Sequence, residues 1–149
     1  MEVYMRVHIA TDHAGFELKE HLVKVLRDSG YEVIDHGATT YDPNDDYPQM
    51  CIEAAEGVVS DPGSLGVVIG GSGNGEQMAA NLVKGARAAL VWNEDIAVLA
   101  REHNNANVIA VGARQHSKED ATRFVLTFLE TPFSEDERHK RRIAVMDAY

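Results

Sequence analysis

Short apolar runs rich in Val and Ile alternate with helical periodicity along the whole 149-residue chain. Arg6 to Ala10, Glu32 to Asp35, Leu65 to Gly70, Ala86 to Val91 and Val108 to Val111 have the length and composition of strands. After the first run, Leu18, Leu22, Val25 and Leu26 recur at i, i+4, i+7 and i+8, while Glu17, Lys19, Glu20 and Lys24 are expected to face elsewhere. Gly30 ends that helix as a left-handed cap. Further helices are predicted over Tyr47 to Ser60, Gly75 to Asn81, Glu94 to Glu102 and Ser117 to Leu129, with a charged one after Pro132, from Ser134 to Tyr149. Five strands separated by helices predict an α/β fold on a parallel sheet. Nothing repeats, and the one long loop, His36 to Asp46, is polar, so residues 1–149 are expected to form a single domain. Ligands of such sheets bind beyond the carboxyl ends of the strands, where the strand order reverses.

Charge narrows the choice of ligand. The chain carries 14 Lys and Arg against 24 Asp and Glu, a net −10, which repels nucleic acid, anionic membrane and, at long range, a phosphorylated substrate as well. An anion site must therefore be built locally. Four of the 14 basic residues fall within positions 138 to 142, leaving a net −14 on the rest of the chain. Arg138, Arg141 and Arg142 stand at i, i+3 and i+4 on one helical face, a fork suited to phosphate, although Glu135 and Glu137 pair with the same helix as on an ordinary solvated face.

Cys51 is the only cysteine, which excludes an internal disulfide and any CxxC pattern; among Met50, Ile52, Ala54 and Ala55 it is expected to be a buried structural thiol. The seven histidines form no His-x-x-x-His pair and no Cys/His cluster, so no metal is expected, with Asp12-His13 the one weak suggestion. The first eight residues lack a signal-peptide pattern and no apolar run approaches the ~20 residues of a membrane span, so the expected location is cytoplasmic with no membrane partner.

The chemistry concentrates after strands. Thr11-Asp12-His13-Ala14-Gly15 follows the first, and Gly70-Gly71-Ser72-Gly73-Asn74-Gly75-Glu76 follows the third and opens a helix. Closely spaced glycines let backbone N–H groups converge on an anionic oxygen. A Walker loop needs Lys-Ser or Lys-Thr after Gly75, and a dinucleotide fingerprint needs a small residue near Glu76; both fail at that carboxylate. Glu76 at a helix N-terminus, where the dipole is expected to keep it ionised, suits a general base, and equally an ordinary acidic residue of a first helical turn. Before the fifth strand, His103-Asn104-Asn105-Ala106-Asn107 is turn chemistry in which His103 is able to serve as acid or base. Arg114, just past the fifth strand, suits either a phosphate or plain solvent exposure.

Taken together, Asp12-His13-Ala14-Gly15, Gly70 to Glu76, His103-Asn-Asn-Ala-Asn107 and Arg138-His-x-x-Arg142 resemble the ribose-5-phosphate isomerase B family, in order and over nearly the whole chain. The resemblance implies a three-layer Rossmann-like domain with a five-stranded parallel sheet and a C-terminal helix. It implies a cofactor-free homodimer, alone or paired into tetramers, that interconverts D-ribose 5-phosphate and D-ribulose 5-phosphate at two sites shared between subunits; related enzymes act on six-carbon sugar phosphates. Many relatives carry a catalytic cysteine where this chain has Gly71, so it looks like the glutamate subgroup. On that resemblance Glu76 moves the proton between C1 and C2, and Gly71, Ser72, Gly73, Asn74 and Gly75 hold the enediolate. His103 with Asp12 opens the sugar ring, and Asn104 bonds sugar oxygens. Arg138 and Arg142 hold the phosphate, helped by His13 and Arg114, with His139 a lesser candidate and Arg141 without a role.

Overall fold

Strands β1 (Arg6–Thr11), β2 (Glu32–Asp35), β3 (Leu65–Gly70), β4 (Ala88–Leu90) and β5 (Val108–Gly112) form one parallel sheet in the order β2-β1-β3-β5-β4 in the computed structural model, which describes residues 5–149. Helices α1 (Phe16–Asp28), α2 (Tyr47–Val59), α3 (Asn74–Ala80), α4 (Glu94–Glu102) and α5 (Lys118–Glu130) cover it, and α6 (Glu137–Ala148) ends the chain. The fold is therefore the expected three-layer α/β domain with a C-terminal helix. Residues 1–4, part of the segment used to judge the chain's start, lie outside the described residues. No helix among the described residues is long and apolar enough to cross a membrane.

The two faces of the sheet follow from side-chain alternation. Val7, Ile9, Val67, Ile69, Ile109 and Val111 point to one side, into a core shared with Leu18, Leu22 and Leu26 of α1, Ala97 and Ala100 of α4, and Phe124, Val125 and Phe128 of α5. Ala10, Val68, Val108 and Ala110 point to the other, where Ala54 and Ala55 of α2 and Ala79 and Ala80 of α3 bring backbones close. Truncating Leu22, fully buried at the α1 seam, costs about 2–5 kcal/mol on general experience with such sites. The strand order reverses between β1 and β3: the chain passes outward from β1 to β2 on one side, and from β3 to β4 and β5 on the other. The loops after β1 and β3 thus flank the point where such sheets bind ligands.

Two details depart from the sequence pattern. Lys19 is fully buried rather than solvent-facing: its Nζ donates to Asp35 Oδ2 and to the Ala38 carbonyl, both at 2.6 Å, which ties the loop after β2 to α1. Strand β4 is shorter than predicted, because Gly85 at φ +94° turns the chain and the Arg87 N–H bonds Asn107 Oδ1 instead of a strand neighbour.

Beneath the α2 face, Asp61 accepts from the Arg6 guanidinium and from His8 Nε2 (2.9 Å), and His8 Nδ1 lies 2.8 Å from His36 Nε2. Arg6 first, then His8, holds the Asp61 carboxyl well below its usual range. Burial first, then His8, lowers His36, with Glu53 and Asp35 opposing. A histidine depressed in the fold binds fewer protons than in the unfolded chain, so its share of stability is full above about pH 6.5 and is lost as pH falls through the lowered value. Thermal melts should therefore show stability declining from pH 7 to pH 5, and His36→Gln should flatten that decline; an unchanged slope would refute the assignment.

Candidate active site

Glycine at position 70 makes room for a carboxylate. A Cβ there would overlap the Glu76 carboxyl, which is only 4% exposed where β3 runs into α3. Gly73, at φ +87°, turns the chain into α3, and the Asn74 N–H donates to Ser72 Oγ at 3.2 Å. Gly75 lies against the Tyr47 hydroxyl at the start of α2. Gly112 packs on the Ser72 backbone, and the Ala113 N–H donates to the Gly70 carbonyl at 2.7 Å, which braces the loop from β5.

Burial raises the Glu76 carboxyl above its ordinary value, and the Asp12 charge adds to this; the backbone N–H groups of Glu76 and Gly73 oppose it. The dipole expected to keep Glu76 ionised is thus outweighed by desolvation. A raised value suits proton transfer, because a general base works best when its pKa lies nearer the operating pH. Asp12 is itself buried and caps the 3₁₀ turn His13–Gly15 by accepting the Ala14 N–H at 2.9 Å. Cys51 is buried, as expected, and burial, with Glu76 and Asp12 adding negative charge, pushes its thiol up, away from any nucleophilic role.

His13 is held by Asp45, which accepts both its backbone N–H (3.0 Å) and ring Nδ1 (2.8 Å) on one oxygen. Arg114 is exposed, and its Nη1 sits 3.4 Å from where a Cβ on Gly71 would lie. Among the described residues its side chain has no hydrogen bond or ion pair, whereas Arg6, Lys19, Arg87, Arg123 and Lys140 all pair with carboxylates. Asp12, His13 and Asp45 also form the only trio of potential metal-ligating side chains among the described residues; the His13–Asp45 hydrogen bond accounts for two of them.

The remaining predicted residues lie elsewhere. His103 follows the end of α4 and Asn104 the next position, both exposed, before β5 begins. The His139 ring, buried in α6, packs 4.3 Å from that of His103, and its Nδ1 lies 2.9 Å from Ser134 Oγ. Arg138 and Arg142 are exposed on the same helix and, among the described residues, have no side-chain partner; Arg141 is equally exposed. Arg87, before β4, donates to the carbonyls of Asn104 and Asn105 and to Asp147 of α6. This second cluster sits at the amino ends of the parallel strands, and the Glu76 cluster at their carboxyl ends. The four steps of β5 from Val108 to Gly112 alone span roughly 13 Å. Within one chain the two groups do not converge.

Asp45 and Tyr47 were not legible as site residues. Asp45 stands in a polar loop indistinguishable by composition from solvent-exposed sequence, and Tyr47 reads as an ordinary first helical residue. Only the fold over Gly75 and His13 brings them in.

The family model for Ribose/Galactose Isomerase matches residues 7–146. The chain is 54% identical to ribose-5-phosphate isomerase B of Mycobacterium tuberculosis, over 97% of this chain and 90% of that protein. It is 41% identical to the probable ribose-5-phosphate isomerase B of Mycoplasma pneumoniae, over 100% and 97%. Its structure superposes on ribose-5-phosphate isomerase B from Mycoplasma genitalium with bound ribulose-5-phosphate at a TM-score of 0.95 and 38% identity, covering 99% and 97% of the two chains. An α/β isomerase is what these likenesses and the Gly70–Glu76 site define. The chain belongs to the ribose/galactose isomerase family.

Gly70→Ala should displace the Glu76 carboxyl from its seat and lower isomerase turnover by at least about a hundredfold, the scale of one positioned base. The circular dichroism spectrum should stay unchanged. Full turnover in this variant would show that the seat is not needed.

Proposed function

We propose that this chain interconverts D-ribose 5-phosphate and D-ribulose 5-phosphate by proton transfer, with Glu76 as the base. The observation that carries this is the buried, proton-avid Glu76 beside a glycine loop whose N–H groups suit a developing oxyanion. In the open-chain aldose, Glu76 takes the C2 proton, the C2–H electrons form the C1–C2 double bond, and the carbonyl pair moves to O1. The backbone of Gly71 to Gly75, with Ser72 Oγ, stabilises that oxygen; one such donor is worth about 3–4 kcal/mol. Glu76 then returns the proton to C1 while a proton passes from O2 to O1, leaving the ketose. Positioned bases supply about 10²- to 10⁴-fold, so this residue set accounts for a substantial acceleration by itself.

The phosphate and ring-opening groups come from a second copy of the chain. His103 and Asn104 stand at the end of the sheet remote from Glu76, as do Arg138 and Arg142, and no bending of one domain unites them. Exposed Met78 on α3 and Leu82 in the turn after it, together with exposed Val145 and Met146 on α6, support association of these faces. In the dimer His103 of the partner subunit opens the furanose with Asp12, while Arg138 and Arg142 of the partner subunit join His13 and Arg114 around the phosphate. A cytoplasmic setting belongs to the same proposal, supported by a lone, buried cysteine and a phosphorylated substrate.

The five-carbon substrate is preferred because the named relatives are ribose-5-phosphate isomerases. A higher kcat/KM for allose or galactose 6-phosphate than for ribose 5-phosphate would reverse that choice. Glu76→Gln should lose about 10³-fold or more in kcat with KM nearly unchanged, and its melting temperature should rise relative to the parent as pH increases. The sign follows from linkage: a carboxyl raised by the fold costs stability once it must ionise there, and glutamine does not ionise. Inactive Glu76→Ala and Arg138→Ala chains, unfolded together and refolded as a mixture, should regain about a quarter of parental activity, since half the dimers are mixed and each holds one intact site. Absence of recovery, with mixed dimers present, would place both residues in one site of one chain.

A further inference from the structure

We infer that Asp45 is a positioning residue that aims His13 at the substrate phosphate. The inference rests on the proposed phosphate role of His13 and extends it to a residue outside the family-like motifs. Asp45 Oδ1 accepts from the His13 backbone N–H at 3.0 Å and from ring Nδ1 at 2.8 Å, so one oxygen fixes both the turn and the ring. An ionised carboxylate only accepts, which requires the proton on Nδ1 and leaves Nε2 as the nitrogen facing a ligand. With Nδ1 engaged by Asp45, Nε2 is the ring atom left to contact a phosphate oxygen.

The surroundings of Asp45 bear on its role. Asp45 Oδ2 is buried without a hydrogen-bond partner among the described residues, an arrangement that costs stability and that a structural role would not require. The loop bearing Asp45 is fastened to the end of β1, two residues before His13, through Thr11 N–H to the Gly37 carbonyl (2.7 Å) and Ala38 N–H to the Thr11 carbonyl (2.8 Å). The buried Lys19 grips the same loop at Ala38. In a chain of net −10 that must bind a dianion, a fixed imidazole donor on the loop after β1 adds to the unpaired Arg114 guanidinium on the loop after β5.

The test is a double-mutant cycle on the full-length enzyme with Asp45→Asn, which keeps an oxygen acceptor and removes the charge, His13→Ala, and the pair. For Asp45→Asn the expected result is a rise of about ten- to a hundredfold in both KM for ribose 5-phosphate and the inhibition constant of inorganic phosphate. Its kcat should stay within about twofold, and the double variant should match His13→Ala alone. Asp45→Ser gives the same comparison should the asparagine variant fail to fold. An unchanged KM in Asp45→Asn, or a double variant in which the two effects add in full, overturns the role of Asp45 while leaving that of His13 standing. An unchanged KM and phosphate inhibition in His13→Ala instead overturns the phosphate role of His13, and the inference with it.

Discussion

The active end of this molecule depends on one steric vacancy. Because residue 70 has no side chain, the Glu76 carboxyl lies directly against the end of β3, buried beside Asp12 and Cys51. Desolvation there works against the charged form, while backbone N–H groups of the same loop work for it. The balance sets how readily Glu76 accepts a proton. The surrounding glycines follow from the same closeness: Gly73 turns the chain left-handed into α3, Gly75 admits Tyr47, and Gly112 lets β5 brace the loop. A helix packed less closely, without the Ala79 and Ala80 contacts, would leave the carboxyl in water and unperturbed.

The parallel sheet imposes a second constraint. It collects strand-end residues at one edge, so Asp12, His13, Glu76 and Arg114 meet after β1, β3 and β5. It also sends the residues that follow α4 to the opposite edge, where α6 adds its arginines. A single chain thus has two separate constellations: one with Glu76 and the glycine loop, the other with a histidine, an asparagine and exposed arginines. The proposed two-fold dimer would join unlike halves twice. On the acidic bulk surface, the arginines without carboxylate partners among the described residues are the cations that such an arrangement would offer a phosphate.

Much of this was written in the periodicity of the chain. The five Val- and Ile-rich runs became the five strands, and the Leu18, Leu22, Leu26 stripe became the buried seam of α1. Glu76 was legible because it breaks two nucleotide-loop patterns at once, a conflict that composition alone does not produce. What stayed hidden depends on contacts far apart in sequence. Lys19 reads as a surface residue until Asp35 and Ala38 are folded over it. Asp45 reads as loop until it meets His13, 32 residues away. The helix dipole at Glu76 was visible, but the stronger effect of burial was not, since burial is a property of the packed helix rather than of the sequence around it.

Proton transfer through an enediolate is the centre of the account, and solvent isotope incorporation tests it most directly. Ribose 5-phosphate should be converted by the metal-stripped enzyme in D2O with EDTA and the product examined by NMR at C1. Deuterium is expected at that carbon in at least part of the ribulose 5-phosphate, because a proton held by Glu76 exchanges with solvent during the life of the intermediate. Complete retention of the original hydrogen through every turnover, the signature of a direct hydride shift, would contradict it.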